Sequence, residues 1–502
     1  MLTRKLASLL SISFLFLHPI KKRSEPSKTK KHIPNPYLEQ LNTELLDYYE
    51  REELDAFGLH VYGMVLLASQ KAPLPPHSPA PHTVLMQSLL AFPYNWSAWL
   101  DLADCALRNR EAERDIELQL QTILGGHFMY HFFCAHLQAS HQDHAAALQI
   151  YQKWTERALL GGSPYLLTEC AVSHYHMRQF GDAQRLLEDL HQSMPYRLDS
   201  MDIYSNILYV QEDAVTLSQL AHTAVQVDKY RPETSCIVGN YYSLKQQRAK
   251  AIQAFKRALA LDRTYVSAWT LMGHEYVEWK QTPNAMESYR QAVNVAPTDY
   301  RAWYGLGQTY EFLSMYLYAL YYYKQAANLR PNDARMWCAI GQVLVYLQRP
   351  SDAVRAYERA LQLDDSEGVA TLKLAKLYQD QAQSEKAAQC YSRHLQLRYV
   401  ASQPPGKASV NATPPLDIML PQLVVQEAEA EALLYLSKYH CDHGEYDTAS
   451  LFASRLLEYP GPEKEQGKAL LREIRSRKSQ PTPRRVYQTR SRGPPTDFSF
   501  SP

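Results

Sequence analysis

The densest run of metal-ligating side chains spans eighteen residues and holds His127, His131, Cys134, His136, His141 and His144. His127 and His131 stand four apart, the step at which two imidazoles share a helix face and can hold zinc. A zinc site also needs a third protein ligand in convergent geometry. Histidines decorating a helix beside a small buried Cys134 produce the same pattern, and no metal is expected. A second group, "YHCDHGEY" (Tyr439 to Tyr446), falls at a turn between helices, which does not gather ligands. No phosphate-cradling GxxxxGK[ST], zinc-binding HExxH, nucleophile-bearing GxSxG or kinase signature occurs anywhere in the chain. The expectation is a protein without catalytic residues and without a cofactor.

Bulk composition narrows the classes further. The chain has 502 residues, 46% hydrophobic and 21% charged, with 53 basic and 52 acidic side chains giving a net charge of +1. So balanced a charge supplies no field to gather nucleic acid or anionic lipid, and neither is expected as a partner. Seven cysteines lie far apart with no CxxC pair, which suits reduced, buried thiols better than a disulfide framework. The N-terminus "MLTRKLASLLSISFLFLHPIKKRS" carries Arg4, Lys5 and an apolar run from Leu6 to Leu17. That run resembles a signal peptide, yet it is short for a bilayer span and no small-residue cleavage site follows. It is read as a leader without a targeting role.

The elements must come from the periodicity. Trp269, Trp303 and Trp337 recur at one constant step, and Gly273, Gly307 and Gly341 keep it, as do Tyr289, Tyr323 and Tyr357. Ala285, Ala319 and Ala353 follow the same step, as do Ala292, Ala326 and Ala360, with Pro297 and Pro331 closing two units. This is the tetratricopeptide pattern, a pair of antiparallel helices per repeat of roughly 34 residues. Small Gly and Ala positions are expected to let helix backbones approach closely, aromatics to fill the space between pairs, and proline to end the second helix. One step upstream, Ser235, Gly239, Tyr242, Ala251, Phe255 and Ala258 form a fourth unit. Weaker units extend back to Tyr62 and forward to Leu457, with a degenerate one near Met201 to Lys229. The fold class expected is all-α, a tetratricopeptide-repeat superhelix (an α-solenoid) of about ten to eleven helix pairs.

The resulting organisation has residues 1–36 as a disordered leader and 37–230 as a degenerate N-terminal array for dimerisation and assembly. Residues 231–398 form the regular array with a peptide groove, 399–426 a Pro-rich linker, 427–475 C-terminal helices and 476–502 a disordered basic tail. "KAPLPPHSPAPH" (Lys71 to His82) is a further Pro-rich loop. Counting along each first helix nominates Asn240, His274, Glu278, Tyr304, Gln308, Glu311, Arg335 and Gln342 as groove residues able to hold an extended peptide. A clamp for a C-terminal carboxylate would need Lys, Arg and Asn on successive first helices. Asn240 fits, but Cys236, Leu271 and Gly305 stand at the other positions, which disfavours a co-chaperone-like adaptor.

Longer strings carry a more particular likeness. "PYRLDSMDIYSNILYV" (Pro195 to Val210), "DKYRPETSCIVGNYYSL" (Asp228 to Leu244), "DYRAWYGLGQTYEFL" (Asp299 to Leu313) and "LYYYKQAANLRPNDARMW" (Leu320 to Trp337) closely resemble the cell division cycle protein 23 family. That family is the eighth subunit of the anaphase-promoting complex. The resemblance implies a non-catalytic scaffold of a cell-cycle ubiquitin ligase, nuclear, and cytoplasmic during mitosis. It implies a homodimer, contacts to other repeat subunits and the large scaffold subunit, and help in holding a coactivator peptide. The alternative is a generic repeat adaptor in another intracellular complex. In the tail, "TPRR" places Thr482 in a proline-directed phosphorylation context.

Overall fold

The computed structural model describes residues 37–69, 79–108, 110–156, 162–363, 368–402 and 426–479. The leader, most of the loop from Lys71, most of the 399–426 linker and Thr482 lie outside them. The described residues form 24 α-helices and no strand. Contacts divide the chain into two units, Met1–Lys245 and Gln246–Pro502. Within each unit, successive helices pack as antiparallel pairs, so the all-α repeat expectation holds.

In the C-terminal unit the pairs that matter most are Val266–Glu278 with Thr282–Val295, Tyr300–Phe312 with Tyr316–Leu329, and Ala334–Tyr346 with Pro350–Gln362. The pair Val369–Asp380 and Ser384–Ser402 follows, then Glu427–Asp442 with Tyr446–Arg455 and a last helix, Glu463–Ser479. Tyr289, Tyr323, Tyr357 and Tyr391, each one repeat further on, are fully buried on the second helices. Their rings explain the glycines. A methyl group added at Gly273 would sit 2.5 Å from the Tyr289 ring, and one at Gly305 of the next pair would sit 2.6 Å from the same ring. Gly307 and Gly341 stand likewise against Tyr323 and Tyr357, at 2.5 and 2.7 Å. The repeated glycines thus admit an aromatic ring, a more specific reason for them than the close backbone approach expected from the sequence.

The tryptophans serve the turns. Indole Nε1 of Trp269, Trp303 and Trp337 donates to the backbone carbonyls of Arg263, Pro297 and Pro331 at 3.0, 2.8 and 2.9 Å. Each bond runs six residues back across the turn that enters the first helix. In the N-terminal unit, Trp99 makes the same bond to Pro93 at 2.8 Å. That places a full repeat where the sequence shows only a weak first helix.

First helices end in a common cap. Arg178, Glu212, Gln246, Lys280, Ser314, Gln348 and Ala382, each one repeat after the last, all have φ near +60°. After Lys280, the amide of Gln281 donates to Tyr276 O at 2.8 Å and that of Lys280 to Val277 O at 2.9 Å, the paired bonds of a Schellman ending. Glu212 shows that the degenerate stretch is a full member. Met201–Val210 and Ala214–Val227 form its two helices although the Gly-Tyr signature is gone.

The helices on either side of the 403–425 stretch are joined by a buried polar network. Glu429, 1% exposed, accepts from Arg398 Nε at 2.6 Å and from the Gln426 amide at 3.0 Å. His394 Nδ1 donates to Gly368 O at 2.9 Å on the opposite side. Glu429→Ala would remove the buried acceptor of Arg398 and of the Gln426 amide and leave the half-buried guanidinium only Gln426 Oε1, so it should lower stability by about 1–3 kcal/mol in urea unfolding. Gly307→Ala should cost about 1–3 kcal/mol by forcing the Tyr323 ring to move. Gln348→Gly should instead raise the melting temperature, because it relieves about 1 kcal/mol of left-handed strain at the cap.

Candidate functional site

The first helices of the C-terminal unit share one face, and the buried tyrosines reach through to it. Tyr289 OH lies 2.9 Å from His274 Nδ1, Tyr323 OH donates to Glu311 Oε2 at 2.6 Å, and Tyr391 OH donates to Gln379 Oε1 at 2.9 Å. The ring that wedges the helix pairs apart therefore also fixes a polar head group on this face. Core packing and surface chemistry are set by the same residue.

Around Glu311 the groups converge. Tyr304 packs its ring on Tyr323, centroids 5.2 Å apart, and Gln308 lies half-buried one turn along the helix. Arg335 is held by Asp333 through two bonds, Nε to Oδ1 at 3.1 Å and Nη2 to Oδ2 at 2.7 Å. Gln342 accepts from the Lys373 ammonium. Glu278 is the outlying member, well exposed at its helix end and paired with Arg248 at 3.4 Å.

Charge states follow from this crowding. Burial among the helix faces, with the Arg301 cation nearby, pushes His274 down to about 4, so the imidazole is neutral at physiological pH. It is nonetheless open to solvent on its outer side, as a side chain on a recessed face is. Burial and the neighbouring Lys376 lower Lys373, and burial raises the Tyr304 hydroxyl. The face thus presents a fixed carboxylate, a neutral imidazole, the Lys373 ammonium, the Arg335 guanidinium held by Asp333, amides and aromatic rings. It can hold a polar chain by hydrogen bonds and stacking.

Asn240 is corrected. It lies in the N-terminal unit, only 3% exposed, and its amide donates to Ser205 Oγ at 2.8 Å and Asn206 Oδ1 at 2.7 Å. A side chain spent on joining two helices is not open to a ligand. The sequence reading also overlooked Arg301, which repeats the Arg335 arrangement on Asp299 at 3.0 and 3.2 Å. Moving one repeat back from Arg335 and Asp333 reaches both partners. Lys373 and Gln379 carry no such signal, because their roles depend on which neighbours reach them.

The histidine run is dispersed over several helix faces. His127 caps its helix by accepting from the Met129 amide at 3.3 Å, His141 meets Glu113 at 2.5 Å, and His144 stacks on His176 with centroids 4.3 Å apart. Among the described residues, no group of three or more His, Cys, Asp or Glu is placed to hold a metal ion. No helix among them is long and apolar enough to cross a membrane. In the N-terminal unit, burial raises Glu169 to about 7 with Arg197 opposing, the most displaced carboxylate of that unit.

Residues 21–171 match the family model described as anaphase promoting complex subunit 8 / Cdc23. A model of the Chs5p-Arf1p-binding proteins matches residues 205–323, and a tetratricopeptide-repeat model matches 334–367. Anaphase-promoting complex subunit 8 of Dictyostelium discoideum is 40% identical over 201 residues, which are 40% of this chain and 32% of that protein. The Arabidopsis thaliana protein of the same name is 37% identical over 222 residues, 44% of this chain and 36% of that protein. The chain thus aligns with about a third of the length of these relatives. Among solved structures, the APC/C hetero-tetramer Cut9–Hcn1 matches with a TM-score of 0.53 and 16% identity, over 84% of this chain and 76% of that one, a likeness of fold. The chain is a tetratricopeptide-repeat protein, and the family it resembles in sequence is anaphase-promoting complex subunit 8/Cdc23.

Proposed function

We propose that this chain is a non-catalytic scaffold subunit of the anaphase-promoting complex, a cell-cycle ubiquitin ligase. One observation carries the reading. The subunit 8 / Cdc23 model matches residues 21–171, a stretch where the repeat signature is weak. A generic repeat adaptor would match repeat models alone, as residues 334–367 do. The carboxylate clamp of a co-chaperone finds no support either, since its one fitting residue, Asn240, is committed to Ser205 and Asn206.

In this reading the helix pairs act as a spacer whose surfaces hold other subunits, in the nucleus and, during mitosis, in the cytoplasm. The N-terminal unit carries homodimerisation. The face around Tyr304 and Glu311 receives a coactivator peptide with basic and aromatic side chains. A carboxylate already oriented by Tyr323 is suited to an arginine, which it can meet with little further loss of freedom.

Affinity purification of the tagged chain from mitotic cells should recover cullin-like and RING subunits together with other repeat subunits. Their absence from a folded, expressed chain would overturn the assignment. Glu311→Lys should weaken binding of a short basic-aromatic peptide of the coactivator by at least about tenfold, with subunit assembly retained. Light scattering of the purified chain should give twice the chain mass, and truncation to residues 246–502 should remove the dimer.

A further inference from the structure

The pair Tyr300–Phe312 and Tyr316–Leu329 differs from its neighbours on the surface away from the first-helix face. Leu317 is 71% exposed, Tyr318 56%, Tyr321 54% and Met315 42%, and Phe312 adds 64% at the turn. The equivalent positions of the preceding pair are Gln281, Pro283, Asn284 and Glu287; those of the following pair are Arg349, Ser351, Asp352 and Arg355. The helix-pair frame does not require apolar groups at 315, 317, 318 and 321, because the same frame is built on both sides without them; only Phe312 has an exposed aromatic counterpart, Tyr346 of the following pair. Their presence in a single pair calls for another cause.

The rings are also held in place. Tyr318 stacks on Tyr310 at 5.6 Å, and Tyr310 is anchored by Tyr322 at 5.1 Å and by Arg290, which donates to its hydroxyl at 2.9 Å. Tyr346 of the next pair extends the surface by stacking on Tyr316 at 4.8 Å. A contiguous exposed apolar surface of preset aromatic rings is what a protein interface presents before its partner arrives. The downstream rim is cationic. Lys324 is exposed on the same helix, and Arg349 and Arg355 share the single Asp352 at 2.5 and 3.8 Å.

We propose that this surface docks a segment of another protein that is apolar on its contact face and carries Asp or Glu on the side that meets Arg349 and Arg355. The site is separate from the face bearing Glu311, and the inference does not depend on which assembly the chain joins. The partner segment would cover the apolar groups while its carboxylates compensate the surplus of guanidinium charge, a complementarity that fixes orientation more than affinity.

The test uses the photo-crosslinking residue p-benzoylphenylalanine, placed at Leu317 in the full chain expressed in cells. Pro283 and Ser351, the equivalent positions of the neighbouring pairs, are the controls. The expected product joins position 317 to one segment of a different protein, apolar with adjacent acidic residues, at least about tenfold above both controls. A synthetic peptide of that segment should bind the purified chain, and Arg355→Glu should weaken it about tenfold and reduce its salt dependence. The triple variant Leu317→Ser, Tyr318→Asp, Tyr321→Arg carries the next pair's residues and should lose the peptide while keeping its helical circular dichroism. Crosslinking no stronger than at the controls, a product with a second copy of this chain, or a basic segment would each overturn the proposal. The crosslink decides the matter even if the triple variant fails to fold.

Discussion

The structure depends on a tyrosine ring seated against glycine. Tyr289 lies between Gly273 of its own helix pair and Gly305 of the next, so a single side chain ties two consecutive pairs together. Burying such a ring contributes about 2–3 kcal/mol, and the repetition at Tyr323, Tyr357 and Tyr391 makes the gain additive along the unit. Glycine in the middle of a helix costs about 1 kcal/mol relative to alanine. The contact with the ring offsets that cost, which is why glycine recurs where a helix would otherwise exclude it.

The same constraint organises the surface. A buried tyrosine must place its hydroxyl somewhere, and on this fold it emerges beside the first helix of the pair. There it meets His274, Glu311 or Gln379 according to the repeat. The polar face is therefore a by-product of the core, with its head groups held by the packing beneath them. Recognition surfaces on such a scaffold can change residue by residue while the frame stays fixed. The apolar replacement at Leu317, Tyr318 and Tyr321 is an example on the opposite side.

The charge states of the first-helix face follow from the packing as well. The displaced groups on the first-helix face, His274 and Lys373, owe their shifts to burial and neighbouring cations. Perturbed ionisation here marks a recessed face, where groups lose water to the packing around them.

The sequence by itself determined the repeat. Trp, Gly, Ala and Tyr recurring at one constant step specify two antiparallel helices, because each of those types answers a steric or hydrogen-bonding demand that recurs with the frame. It also nominated Tyr304, Glu311 and Arg335, which the folded chain brings to one face. The tertiary structure decided what depends on neighbours. Asn240 has the spacing of a groove residue, but Ser205 and Asn206 on the preceding first helix claim its amide. The left-handed caps fall on Glu212, Lys280, Ser314 and Gln348, residues with no preference for that conformation, because the packing of the next helix imposes it. His394 and Arg398 share one helix and Glu429 lies on the next, beyond the 403–425 stretch, and only their meeting in the folded chain makes them a unit. Periodic contacts leave a periodic trace in the chain; single contacts between distant residues leave none.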